Sequence, residues 1–218
     1  MRLSKTMLII ASLIFCLSST VLAQSLEKRH QIGLKVGWFN QVTDALTEVD
    51  ITGVTTSVKN NGPLGTVFYE HWLRENLALN IGIGGMIPDV SVSTGVTGVT
   101  TETANITQIF LGAKYYLPES TYGSNVRPFL SVSAGPVIGT INSIQAGLIT
   151  ATDSRTEATM GGNLGGGVDF ILSRHFMLGS AVGYTLMSDF AESIGGSKNY
   201  SGPQFTISFG YLFGKGTK

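Results

Sequence analysis

The chain has 218 residues, and its 14 basic and 14 acidic residues give no net formal charge. This balance argues against a nucleic-acid partner, because binding to a phosphate backbone requires a basic patch. Hydrophobic residues make up 43% of the chain. Beyond residue 23, however, no run approaches the ~18 consecutive apolar residues of a membrane-spanning helix.

The N-terminus has the layout of a secretory signal peptide. Two basic residues, at positions 2 and 5, precede an apolar run over 7–17, and small or apolar residues precede Gln24. The run is too short to cross ~30 Å of hydrocarbon as a helix, which disfavours a membrane anchor. We therefore expect residues 1–23 to be removed after export, leaving 24–218 as one domain.

Removal of the signal peptide also removes Cys16, the only cysteine. The mature chain would then have no thiol for a disulfide or a thiolate metal site. Without Arg2 and Lys5, the 14 basic residues fall to 12 against 14 acidic residues, a formal charge of −2.

Apolar residues alternate with small or polar ones along most of the remaining chain, as in Ile32, Leu34, Val36 and Trp38. A period of two is the signature of a β-strand with two different faces. Eight segments are predicted as strands, each long enough to cross a bilayer when tilted. They are 31–39, 63–73, 77–87, 106–117, 127–138, 159–172, 176–187 and 203–213.

The connections between these strands alternate between long and short. The long ones are 40–62, 88–105, 139–158 and 188–202, and they are rich in Thr, Ser, Val and Gly. Short periplasmic turns and long outer loops are typical of outer-membrane barrels. The sequence therefore predicts an all-β fold, an eight-stranded antiparallel up-and-down transmembrane β-barrel. Its long loops resemble exposed hairpin extensions more than a folded second domain, and extended hairpins and mobile loops are both open alternatives.

Three segments carry a resemblance to a known family: 68–79, 165–170 and the aromatic last strand. They are similar to the small outer-membrane barrels of the OmpA, OmpX and OmpW type, in particular the outer-membrane β-barrel group of Bacteroidetes-like bacteria. The resemblance implies a place in the outer membrane, contact with its lipid, and recognition of the C-terminal strand by the barrel-insertion machinery. Many such proteins end on an aromatic residue, whereas five residues follow Phe213 here, so the recognition signal would be slightly internal.

When the apolar face of each strand is turned to lipid, the outward-facing aromatic residues fall into two groups, one near each end of the strands. Amphipathic rings prefer the membrane interface, so two girdles are expected. The periplasmic girdle would contain Tyr69, Tyr115, Phe170, Phe176, Tyr211 and Phe213, and the outer girdle Trp38, Tyr184 and Phe205. Chance placement of β-favouring aromatics is the alternative.

Four charged residues face inward: Lys35, Glu70, Lys114 and Asp169. We expect them at similar depth near the periplasmic end, with Lys35 paired to Glu70 and Asp169 within reach of Lys114, because charges in a narrow lumen are costly unless paired. The cluster is interpreted as a structural plug, with a gate or an ion path as the alternative. The many lumen-facing glycines are expected to ease curvature rather than to enclose a ligand.

Pro136 fits poorly within a strand, because it removes a ladder hydrogen bond and a barrel has no free edge. A bulge or the end of the membrane section is expected there.

No catalytic, cofactor or metal site is predicted. The three histidines, His30, His71 and His175, fall at periplasmic strand ends and lack metal-ligand spacing. A lipid-modifying enzyme would need a base near the outer leaflet. The glycine cluster 161–167 lacks the ending of a phosphate-binding loop.

We therefore expect a non-enzymatic barrel with an envelope-structural or surface-interaction role through its outer loops, since loops on a rigid scaffold usually carry function. The alternative is binding or passage of small, even hydrophobic, molecules, as the OmpW resemblance implies. The sequence names no surface ligand and no oligomeric state.

Overall fold

The computed structural model describes residues 25–42, 61–87, 92–95, 98–118, 125–146, 151–195 and 197–216. The predicted signal peptide lies outside this part of the chain. The described strands are β1 (His30–Asn40), β2 (Asn61–Arg74), β3 (Leu77–Met86), β4 (Val92–Gly95), β5 (Gly98–Tyr116), β6 (Val126–Ala146), β7 (Ala151–Ile171), β8 (Phe176–Met187) and β9 (Gly202–Phe213).

Eight of the strands close into a barrel. Each pairs antiparallel with its neighbour in chain order, β3 pairs with β5, and β9 returns to pair with β1. The short β4 pairs only with β5, through Val92↔Thr101 to Gly95↔Gly98. The predicted all-β, eight-stranded antiparallel fold is therefore confirmed. Five of the barrel strands, β1, β2, β3, β8 and β9, begin and end within a few residues of the predicted segments.

Alternation along each strand sets its two faces. In β1, Leu34 and Val36 are each 60% exposed, while Gly33, Lys35 and Gly37 point inward and are half-buried. A continuous outward band of such apolar side chains is stable only against lipid. The start of β1, the end of β9 and the described short turns lie at one rim, which is the periplasmic rim in this architecture. No helix among the described residues is long and apolar enough to span a membrane.

Three strands extend far beyond the predicted membrane segments at the outer rim. The pairing of β6 with β7 continues without a register shift from Val126↔Phe170 to Gln145↔Ala151. The pairing of β5 with β6 reaches Val99↔Ala146. At ~3.3 Å per residue, the nine steps from Val137 to Ala146 add about 30 Å of sheet. Much of the two predicted loops 88–105 and 139–158 is therefore regular hairpin. We call this region the outer sheet; it comprises β4 and the parts of β5, β6 and β7 within 98–108, 137–146 and 151–159.

The expected bulge at Pro136 is not formed, and the end of the membrane section at this residue stays a prediction. Strand β6 runs through this residue, which pairs with Met160 of β7. On the β5 side, the pairs opposite Gly135 and Pro136 are missing, but the register is the same on both sides of the gap. The proline thus removes ladder bonds toward one neighbour only, and the other neighbour holds the strand in line.

Lumen glycines allow the strands to approach closely on the inner side of the wall. A Cβ atom built on Gly37 would collide with the carbonyl oxygen of Phe205 on β9. At Gly33 it would collide with the carbonyl oxygen of Phe209. These glycines are required by the tight curvature of a small barrel.

Candidate functional site

The lumen holds a buried ion cluster of Lys114, Glu70 and Asp169. The Lys114 ammonium lies 2.6 Å from Glu70 Oε1 and 3.3 Å from Asp169 Oδ2. The three residues are 5%, 1% and 1% exposed. The Tyr116 hydroxyl donates a 2.8 Å hydrogen bond to the same oxygen of Asp169. One ammonium therefore serves two carboxylates that come from strands on either side of it.

The predicted ion pair between Lys35 and Glu70 is not formed. Lys35 faces Thr66 in the register of β1 and β2, whereas Glu70 faces Gln31, four residues closer to the periplasm. Strands of a barrel are staggered by its shear, so equal distances from strand ends do not mean equal depth. In the described part of the chain no carboxylate lies in ion-pair contact with Lys35; its ammonium lies 5.6 Å from the centre of the Phe68 ring.

Aromatic rings hold the Lys114 ammonium from two sides. Its nitrogen lies 4.5 Å from the centre of the Phe129 ring and 5.8 Å from that of Phe68. Cation–π attraction of this kind is strongest where water is excluded. The rings and the two carboxylates leave the ammonium fixed in the middle of the bore.

The periplasmic end of the lumen is filled by an apolar cluster, the periplasmic seal. Its buried members are Leu26, Trp72, Ala78, Tyr116, Phe129, Ile171, Met177 and Leu212. Leu26 is fully buried although it precedes the first strand. The segment before β1 is held in place because Lys28 N donates to Trp72 O at 2.9 Å and Trp72 N donates to Arg29 O at 3.1 Å. The ion cluster lies directly on this seal, since Tyr116 of the seal donates to Asp169 and the Phe129 ring contacts Lys114.

The outer end is filled by the connection between β8 and β9, which we call the outer cap (residues 188–195 and 197–201). It places the fully buried Phe190, Ile194 and Tyr200 into the mouth of the barrel. They pack in one cluster with Phe39, Met86, Ala104, Ile106, Val137 and Met187. The predicted outer loop 188–202 is thus a folded stopper rather than an exposed extension.

Hydrogen bonds and ion pairs fasten the cap. Asn199 Nδ2 donates to Met187 O at 2.9 Å and to Asp189 Oδ1 at 2.7 Å. Arg155 on β7 pairs with Glu157 at 2.9 Å and with Glu192 of the cap. These bonds satisfy the Asn199 amide and pair the Glu192 carboxylate of a loop whose apolar side chains are buried. Sequence reasoning missed the cap; its only signal is three large apolar residues within a loop of small and polar ones.

Two small cavities remain between the seal and the cap. Their volumes are about 70 Å³ and about 50 Å³, and Lys35, Asn80, Ser133, Asn163 and Gln204 line both of them. Each has room for a few waters, since about 10–15 Å³ of such volume holds one. Lys35 therefore lies beside space for water rather than in an ion pair.

The predicted interfacial aromatics all lie on the outward face and are between 38% and 56% exposed. They are Trp38, Tyr69, Tyr115, Phe170, Phe176, Tyr184, Phe205, Tyr211 and Phe213. Their role as membrane girdles stays a prediction.

The histidines lie near the periplasmic rim. His30 and His71 face each other across β1 and β2, and their stacked rings are 4.5 Å apart. His30 Nδ1 lies 2.6 Å from the Tyr69 hydroxyl, and His175 stacks on Tyr211. Sequence spacing does not reveal these contacts. Within the described ranges, no three His, Cys, Asp or Glu residues come together as a metal site.

A family model described as outer membrane protein beta-barrel domain matches residues 9–213, nearly the whole chain. The chain belongs to this family. The resemblance to small OmpA- and OmpX-type barrels is thereby confirmed, and the outer membrane is the location that the family gives. A bacterial group of origin is not assigned by the match.

Solved structures of other outer membrane barrels share the fold at low identity. Ail, the attachment invasion locus protein of Yersinia pestis, is 12% identical, with a TM-score of 0.50 over 86% of this chain and 99% of that one. OprG of Pseudomonas aeruginosa is 13% identical, with a TM-score of 0.49 over 88% and 99% of the two chains. Among curated proteins, none matches the sequence.

Proposed function

We propose that this outer membrane barrel is a closed, non-enzymatic anchor that acts at the cell surface through its outer sheet. The observation that carries the proposal is the filling of the lumen at both ends, by the periplasmic seal and by the outer cap. A barrel closed in this way leaves its surface regions, rather than its bore, to carry a function.

The ion cluster adds a second block to conduction. Lys114 is held by Glu70 and Asp169 and lies between two aromatic rings. A passing ion would have to separate buried charges, which is strongly unfavourable. We assign the cluster a structural role as a plug.

The outer sheet supports the surface role. Strands β5, β6 and β7 have 19, 21 and 21 residues, about twice the 9–11 that a membrane crossing needs. Their continuous register makes the sheet a rigid platform beyond the membrane rather than a set of loose loops. Rigid platforms present binding residues at little entropic cost.

Bilayer conductance of the refolded chain tests the closed barrel. We expect no steady channels from the native chain and none from Lys114→Ala, because the seal and the cap remain in both. Steady channels in the native chain that change with the substitution would overturn the plug and support transport.

A shortened outer sheet tests the surface role. Ile141 and Arg155 lie directly opposite each other in β6 and β7. Replacing residues 142–154 by Asn-Gly, which favours a two-residue hairpin turn, keeps the register and the cap contacts of Arg155. Cells carrying the full or the shortened chain, at equal folded amounts, are compared for adhesion to glass and to cultured epithelial cells and for sensitivity to bile-salt detergent. We expect the full chain to raise adhesion and detergent resistance above the values of the host without the protein. The shortened chain should give the values of that host. Equal values in all three assays would refute the surface role.

A second candidate is entry of a small solute, and the cavities around Lys35 favour it. Their lining by Asn80, Asn163 and Gln204 fits a polar molecule rather than the hydrophobic one that the OmpW resemblance suggests. Under this candidate, Ile194→Ser would loosen the cap and raise the uptake of a small polar dye into vesicles. An unchanged uptake would exclude it.

Export by a cleaved signal peptide is also a proposal, carried by the sequence alone. The intact mass of the protein isolated from outer membranes should correspond to a chain that starts at Gln24. A mass that includes residues 1–23 would refute the cleavage.

A further inference from the structure

The two ends of the barrel differ in charge. The described residues at the periplasmic rim include six cations, Lys28, Arg29, Arg74, Arg127, Arg174 and Lys215, against two carboxylates, Glu27 and Glu75. At the outer rim, the described side chains include two cations, Arg155 and Lys198, against Glu157, Asp189 and Glu192. The periplasmic rim therefore carries a positive potential.

Four of these cations are exposed and follow one side of the rim: Lys28, Arg74, Arg174 and Lys215. We call them the basic arc. Backbone contacts connect their positions, since Lys28 N donates to Trp72 O on β2, and Gly214, next to Lys215, lies against Lys28. The Arg29 guanidinium donates a 2.6 Å hydrogen bond to the carbonyl of Arg174 in the β7–β8 turn. The arc thus runs from the end of β2 past β1 and β9 to the start of β8.

A β-bulge turns Arg74 toward the membrane. The register of β2 and β3 shifts between Trp72 and Arg74, so that Arg74 pairs with Leu77. Leu77 in turn pairs with Tyr115, whose ring is on the outward face. Directly opposite residues share a face of the sheet, so Arg74 is outward as well. Without the bulge, the alternation along β2 would point it inward.

Within the described part of the chain, the side chains of the basic arc are not ion-paired. No carboxylate in the described ranges forms an ion pair with any of its four side chains. Glu75 is already engaged with Arg127, at 3.4 Å. Burial, and to a smaller extent the charge of Arg174, lowers the pKa of Arg29 beside the arc. An external anion would lower the electrostatic energy of the four exposed cations.

Aromatic rings place the arc at headgroup depth. A ladder of outward rings runs beside it, with Tyr211 and Phe213 at 6.4 Å, Phe213 and His30 at 5.4 Å, and His30 and His71 at 4.5 Å. Aromatic residues concentrate at the membrane–water interface. The cations beyond the ladder, toward the periplasm, are then level with lipid phosphates.

We propose that the basic arc is a binding site for anionic phospholipid headgroups in the inner leaflet of the outer membrane. The exposed cations supply the charge, the bulge at Arg74 directs one of them to the lipid, and the aromatic ladder fixes the depth. The arc covers only part of the circumference, so the bound lipid is confined to the β8–β9–β1–β2 side.

The test is lipid selectivity of the refolded full chain in phosphatidylcholine vesicles. Electron paramagnetic resonance of spin-labelled lipids gives the association constant of phosphatidylglycerol relative to that of phosphatidylcholine. We expect a ratio of about 3 or more at low salt, because juxtamembrane cations attract anionic lipid. At about 1 M NaCl, where the Debye length is about 3 Å, the ratio should fall toward one. A ratio near one at low salt would overturn the proposal.

Matched variants locate the site. Arg74→Gln with Arg174→Gln removes two cations of the arc, and Arg155→Gln with Lys198→Gln removes two at the outer rim. Both pairs change the net charge equally, and the heat-dependent gel shift of folded barrels verifies folding. The first pair should lower the selectivity ratio by at least about half, and the second should leave it unchanged. Equal losses in both pairs, or no loss in the first, would show that the arc is not the site.

Discussion

Replacing Lys114 by methionine should destabilise the barrel more than any comparable lumen substitution. The change keeps most of the side-chain volume but leaves Glu70 and Asp169 buried at 1% exposure without their shared ammonium. Tyr116 still donates to Asp169, whereas Glu70 has no other ion-pair partner in the described residues. Removing one member of a buried pair costs about 3–5 kcal/mol, because a buried charge is left uncompensated.

Urea unfolding in lipid vesicles, followed by tryptophan fluorescence, measures this loss, since Trp72 is buried in the seal below the cluster. Lys114→Met combined with Glu70→Gln and Asp169→Asn should recover stability to within about 1–2 kcal/mol of the native chain, because no buried charge remains. Lys35→Met is the matched control, and its cost should stay below about 1 kcal/mol, since Lys35 lies beside a water-sized cavity and its removal leaves no partner carboxylate unpaired. A single Lys114→Met variant within about 1 kcal/mol of the native chain would refute this account of the cluster.

Four further predictions are tested by the same unfolding assay, by the heat-dependent gel shift or by protease digestion. Leu26→Ala should cost about 2–4 kcal/mol because it empties the seal, and a smaller effect would mean that the segment before β1 does not plug the barrel. Gly37→Val should give no heat-shifted folded band, because its side chain would collide with a strand carbonyl; a normal band would contradict the close approach. Ile194→Ser should make the outer cap sensitive to protease, and a resistant cap would argue against its docking. Burial raises the pKa of Glu75, but hydrogen bonds from 25–27 and a neighbouring guanidinium outweigh it and lower the pKa. The stabilisation by Glu75 is therefore present above its unfolded pKa of about 4.3 and is lost as pH falls through the lower folded value, so Glu75→Gln should lose less stability than the native chain between about pH 7 and 3.

The strand positions were predictable because every strand that crosses the membrane has the same pattern of apolar and polar residues. Each strand must show an apolar face outward and small or polar residues inward, and this alternation stands in the sequence independently of how strands pair. Residues such as Leu34 and Val36 are therefore assigned to a face by local pattern alone. Loop lengths then fix the up-and-down order and the orientation of the barrel.

The contents of the lumen depend on the stagger between strands, which no single strand encodes. The sequence shows that Lys35, Glu70, Lys114 and Asp169 point inward, but the shear of the closed barrel sets their depths and gives both carboxylates to Lys114. The outer cap could not be predicted either, because Phe190 and Ile194 follow no periodic pattern. They are buried only by residues from several barrel strands that surround the outer end of the lumen. The sequence by itself thus determined the barrel and its place in a membrane, since these follow from local alternation. Tertiary structure alone decided that apolar clusters fill the lumen at both ends, because this filling depends on contacts between residues far apart in the chain.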